Sequence, residues 1–203
     1  MHGVTTQDTT ARPRRTARAL PCASSERSER GTPLLWTSAA VIGCLVLSAG
    51  RRPASGLALD LPYRLLVREF GRGRVARFED IDFPPALTHE PTRRFLRETG
   101  LPEDAFPLAT DEDGMGDGMA LPTLAEYYGH AVPTGAAGHL VRLGRLPDGS
   151  DVVVDGPTGT VLTWHPCTAS LRPLTPDVST LVFTLWLLRR AAAPEAVAGF
   201  EPT

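Results

Sequence analysis

The stretch from Gly138 to Asp155 constrains this chain more than any other. From Leu140 to Leu146 apolar and polar residues alternate as in a half-buried strand, and Pro147-Asp148-Gly149-Ser150 carries turn chemistry. Val152-Val153-Val154 then resumes as a β-branched run, so the segment predicts a β-hairpin. A second turn, Asp155-Gly156-Pro157-Thr158-Gly159, leads into Thr160-Val161-Leu162-Thr163-Trp164. Three short strands in succession predict an antiparallel meander, which needs other elements to cover it.

The flanking sequence supplies those elements. Asp60 is a candidate cap, Pro62 sits in a first turn, and Leu61, Leu65, Leu66 and Phe70 recur at helical spacing until Gly71. Val75-Ala76-Arg77-Phe78 reads as a brief strand. Glu90-Pro91 opens a second helix with Thr92, Phe95, Leu96 and Thr99 along one face and Gly100 at its end. Leu124 to Tyr128 reads as a short strand or turn. Pro173 to Pro176 breaks the chain, after which Asp177 or Ser179 caps a final apolar helix through Arg190. The fold class is α+β, an antiparallel meander packed by helices that include the C-terminal one.

Residues 1–55 read as an Arg-rich, disordered leader, 56–190 as the domain and 191–203 as a flexible tail. Within the leader, residues 33–49 are uncharged and apolar; as a helix they reach about 25 Å against a hydrocarbon core of roughly 30 Å. A membrane anchor, an export signal and an over-long gene start are all open readings of that segment.

Charge separates the leader from the domain. All 21 basic residues are Arg, with no Lys and no Asn, the mark of a GC-rich genome such as an actinobacterium's. Residues 1–55 hold eight Arg against three acids, and residues 56–203 hold 13 Arg against 20 acids. An acidic domain disfavours nucleic acid and anionic membrane and favours a basic protein partner.

Signals for chemistry are weak. Cys22, Cys44 and Cys167 lie far apart without metal-ligand spacing, which fits a reduced compartment or plain packing better than a disulfide framework. Gly71-Arg72-Gly73-Arg74-Val75-Ala76 matches a dinucleotide fingerprint in form, but it follows a helix and precedes a strand, the reverse of what a phosphate site requires. A calcium loop counted from Asp111 would place Met115 at position 5 and Pro122 at position 12, so ligands are missing. His89, His130, His139 and His165 share neither a helix face nor a metal spacing. No catalytic residue, metal or cofactor is expected.

Taken together, several segments resemble the fourth group of SUKH immunity proteins over Leu61 to Arg190. They are Phe70-Gly71 to Phe78, Leu87-Thr88-His89-Glu90-Pro91-Thr92-Arg93-Arg94-Phe95-Leu96 closing at Gly100-Leu101-Pro102, and Leu140 to Gly144. Val153-Val154-Asp155 with Thr158-Gly159-Thr160-Val161, and Asp177-Val178-Ser179-Thr180-Leu181, complete the set. The resemblance implies a SUKH fold and a cytoplasmic protein that neutralises a cognate protein toxin, often a nuclease or nucleic-acid deaminase, with no small-molecule substrate and no direct nucleic-acid contact. With the charge count, it makes Asp111, Glu112, Asp113 and Asp117, together with Asp148 and Asp151 at the hairpin tip, the expected partner-binding residues. Two rival readings are an exported or membrane-anchored scaffold, resting on residues 33–49, and a small enzyme whose reactive groups assemble from distant positions.

Overall fold

The computed structural model of the chain describes residues 55–103, 105, 120–129 and 138–192. Its centre is a four-stranded antiparallel sheet in sequence order: β3 (Leu140–Arg145), β4 (Asp151–Asp155), β5 (Val161–His165) and β6 (Ser170–Thr175). Before it come α1 (Tyr63–Phe70), β1 (Val75–Ala76), a 3-10 turn (Asp80–Asp82), α2 (Glu90–Glu98), β2 (Leu101–Pro102) and α3 (Leu124–Tyr128). After it comes α4 (Val178–Ala192), and β1 pairs with β2 as a separate antiparallel ribbon. The α+β class and the covered meander expected from the sequence are what the structure shows.

The β3–β4 half of the sheet is buried on both faces, which the alternation in β3 does not foretell. On one face Val141, Leu143, Val152, Val154 and Val161 join Leu66, Phe70, Phe95, Leu96, Leu181 and Leu185 from α1, α2 and α4. On the other, α3 lays Leu124, Tyr127 and Tyr128 over Leu140, Val153 and Trp164. The rings of Tyr128 and Trp164 sit 4.9 Å apart between centroids, within the range of favourable aromatic pairing. Register explains the departure. Arg142 pairs with Val153 and Gly144 with Val152, leaving Leu143 as the extra residue of a β-bulge. The bulge resets the alternation, so Arg142 and Arg145, three residues apart, both turn to the α3 face.

Four further differences have local causes. Leu124–Tyr128 is a helix because Thr123 and Glu126 form a capping box, in which the Glu126 N–H donates to Thr123 Oγ1 and the Thr123 N–H to Glu126 Oε2. Pro173 does not break the chain, since it lies in β6, the edge strand, opposite Leu162, where a missing N–H costs least. Asp60 makes no cap, as Pro62 occupies that position in α1. Cys167, in the turn between β5 and β6, is disulfide-bonded, so it is not a plain packing residue. Residues 1–54, with the apolar stretch 33–49, lie outside the described residues, as do residues 193–203. Among the described residues no helix is long and apolar enough to cross a membrane.

Two junctions lock the layers together. Asp177 is the cap the sequence offers for α4: its Oδ1 accepts from the Thr180 N–H at 2.9 Å, and its Oδ2 from the Ala58 N–H. Ser179 Oγ accepts from the Leu59 N–H at 3.0 Å, so the chain entering α1 is tied to the start of α4. At the second junction, the turn between β4 and β5 seats on the approach to α2. The Gly156 carbonyl accepts from the Thr88 and His89 N–H groups at 3.1 and 2.9 Å. A Cβ at Gly156 would overlap the Ala86 carbonyl oxygen, and one at Gly159, at φ +75, would overlap the His89 ring.

Gly156→Ala should therefore lower the free energy of unfolding by about 2–4 kcal/mol, since backbone has to move to admit the methyl group. Gly149→Ala, at φ +82 but facing open space, should cost only about 1 kcal/mol. Urea denaturation of both variants checks this, and equal losses would contradict the junction.

Candidate partner-binding surface

Of the six expected partner-binding residues, only Asp148 and Asp151 fall among the described residues. Asp111, Glu112, Asp113 and Asp117 lie outside the described residues. Asp148 is exposed at the tip between β3 and β4, and its Oδ1 accepts from the Ser150 N–H at 2.9 Å, the local bond that shapes the turn. Asp151 is a correction. It stands at 0% exposure on the α3 face of the sheet, so it cannot touch a partner at the hairpin tip.

The bulge explains where Asp151 went. It turns Arg142 and Arg145 to the face where Asp151 points, and Arg142 Nε donates to Asp151 Oδ1 at 2.8 Å. The Tyr128 hydroxyl donates to Asp151 Oδ2, and Arg145 Nη2 donates to the Tyr128 oxygen at 2.8 Å. The Arg142 guanidinium also lies 4.2 Å over the Tyr127 ring. A buried carboxylate is tolerable only when it is paired and hydrogen-bonded, and here it is both. Burial, and next the hydrogen bond to Asp151, push the Tyr128 phenol well above its ordinary value of about 10. This cluster is a structural lock between α3 and the sheet.

A different acidic surface lies at the 3-10 turn, which sequence reasoning passed over. Glu79 and Asp82 form a capping box, the Glu79 N–H donating to Asp82 Oδ2 at 2.7 Å. The spacing Glu79-x-x-Asp82 before Phe83-Pro84-Pro85 was the available signal. Asp80 accepts from Arg93 at 2.9 Å and from Arg97 at 2.6 Å, and Arg97 also reaches Glu90 at 2.9 Å. The hydrogen bonds from Arg93 and then Arg97 hold the Asp80 carboxyl below the usual carboxylate range, so this pairing persists at neutral pH and is lost only in acid. These groups are solvated and add little to stability, but they fix where the turn stands.

The Asp82 carbonyl accepts from the Leu121 N–H at 2.9 Å, and Arg142 N–H donates to the Pro122 carbonyl at 2.8 Å. The backbone thus runs from the acidic turn to the edge of β3, where Thr123 bridges Val141. Among the described residues, no group of three His, Cys, Asp or Glu side chains is placed to hold a metal ion. His89 Nδ1 is within 2.8 Å of Thr92 Oγ1, and its ring packs against Gly159, a structural position.

Asp151→Asn or Asp151→Ala should cost about 3–5 kcal/mol by removing the buried carboxylate that Arg142, Arg145 and Tyr128 share, whereas Tyr128→Phe should cost about 1–3 kcal/mol. The raised phenol carries its own sign. Its share of stability is complete below pH ~10 and is lost as the pH rises through the higher folded value. An ultraviolet titration should show Tyr128 ionising only above the ordinary tyrosine range, and ionisation at pH ~10 in the folded protein would contradict the lock.

Comparison with curated proteins and with solved structures gives no match. The model of the SUKH-4 immunity protein family matches residues 61–199, from the residue before Pro62 through α4 and beyond. That span contains the junction at Gly156, the buried Asp151 lock and the acidic turn, and it makes this chain a member of the SUKH-4 immunity protein family.

Proposed function

We propose that this immunity protein binds and blocks a basic toxin domain whose own target is nucleic acid, inside the cytoplasm of the producing cell. The observation that carries the reading is the charge balance, 20 acids against 13 Arg over residues 56–203. A toxin that cuts or modifies nucleic acid needs a positive cleft for phosphates. An acidic domain fits that cleft, is steered to it over a Debye length, and excludes substrate simply by occupying it. No bond-making step is required of the immunity protein. Asp148 remains an exposed acid at the hairpin tip and belongs to the proposed contact, as do Asp111, Glu112, Asp113 and Asp117 in sequence; Asp151 does not.

One observation favours a second reading. Cys167 is disulfide-bonded, and disulfides persist in oxidising compartments, as an exported or membrane-anchored interaction protein would experience. Cell fractionation separates the two readings, because a cytosolic guard stays in the soluble fraction while an anchored scaffold pellets with membranes.

The test of the first reading looks beside this gene for one encoding a large secreted protein with a basic C-terminal toxin domain, and uses that domain. Co-expression should restore growth to cells making that toxin, and purified immunity protein should inhibit its nucleic-acid chemistry at one-to-one stoichiometry. Raising salt from about 50 to about 500 mM should weaken binding by at least tenfold, as long-range attraction is screened. Binding insensitive to salt, or no rescue, would contradict the proposal.

A further inference from the structure

Two large apolar side chains stay exposed among the described residues, Leu171 at 39% and Ile81 at 86%. A lone exposed apolar residue is ordinary on a protein surface, so exposure alone assigns Ile81 nothing. Ile81 is the middle residue of the 3-10 turn, and the chain beneath it is fixed from every side. Within the turn, the Asp82 N–H donates to the Glu79 carbonyl at 3.0 Å, in addition to the reciprocal capping box. Asp80, the residue before Ile81, is held by Arg93 and Arg97 of α2. Asp82, the residue after it, is held through its carbonyl by Leu121. Phe83 is buried below, 6.3 Å from the Phe78 ring and under the Arg93 guanidinium at 5.2 Å.

The charges around Ile81 divide unequally. The Asp80 carboxylate is met by two guanidinium groups, but Glu79 and Asp82 have no ion pair among the described residues. The turn therefore presents one apolar tip, nearly free of the protein, between two uncompensated carboxylates. Its complement is an apolar pocket with a cationic rim. A phosphate-bearing surface, whether nucleic acid or anionic lipid, would meet those carboxylates as like charge and is disfavoured. A turn already fixed in shape loses little freedom on docking, so burying its tip translates into affinity.

We propose that the turn Glu79–Phe83 is the anchor by which this domain docks on its toxin, with Ile81 filling an apolar pocket and Glu79 and Asp82 meeting Arg or Lys at the pocket's rim. The identity of the partner rests on the function proposed above, whereas the position of the contact rests on this turn alone.

The test measures binding of the full chain to the same toxin domain used to test the proposed function. Ile81→Ala should weaken binding about ten- to a hundredfold, the loss expected for one well-buried aliphatic side chain. Its urea midpoint should stay that of the parent, since the side chain packs on nothing. Glu79→Gln with Asp82→Asn keeps the capping acceptors and removes the charge, so it should flatten the salt dependence of binding. Leu171→Ala, on the edge strand, should bind as the parent does. If the parent binds and Ile81→Ala binds equally well, the anchor is wrong while the immunity function stands. If the parent does not bind this toxin at all, both proposals fail.

Discussion

The interaction on which the rest of this structure depends is the burial of the β3–β4 pair on both faces. Val152 and Val154 point to α1, α2 and α4, while Val153 points to α3. A strand with two apolar faces cannot sit at the surface, so helices must close over each side. That leaves Asp151, at the start of β4, inside the protein, and an ion in such a place survives only with partners. The bulge at Leu143 delivers two of them by turning Arg142 and Arg145 to the same face, and Tyr128 from α3 supplies the third.

Much of the described chain is committed to holding this frame. Gly100 packs with no room for a side chain against the Ala76 carbonyl, Gly156 against Ala86, and Gly159 against His89. Asp177 ties α4 to the chain entering α1. Thr92, Phe95 and Leu96 are buried along α2. Little of that set is free to meet a partner. Under the proposed function, recognition of the toxin falls to described residues outside that set, the turn at Glu79–Phe83 and the tip at Asp148.

What the sequence reveals and what it hides follows the same division. Elements fixed by local rules are legible: α2 from Pro91 in its first turn and Gly100 after its last, α4 from Asp177, and the two hairpins from Asp148-Gly149 and Asp155-Gly156. Elements fixed by register are hidden. Nothing in Leu140 to Leu146 marks Leu143 as the extra residue, and without it Arg145 falls on the wrong face and Asp151 reads as a surface acid. Pro173 looks like a breaker because its cost depends on whether its strand lies at an edge, which is a property of the sheet. The capping box Thr123-x-x-Glu126 was legible and outweighs the short apolar pattern that suggested a strand.

The central claim is that an acidic surface outside a rigid frame occupies a positive surface on the toxin. Hydrogen–deuterium exchange of the free and toxin-bound protein tests it most directly, because the frame and the acidic turn lie in separate peptides. The account predicts slowed exchange in residues 79–83 on binding and unchanged exchange in β4 and in the turn at Gly156–Gly159. Protection gained at that turn or along α4, with residues 79–83 exchanging as in the free protein, would contradict it.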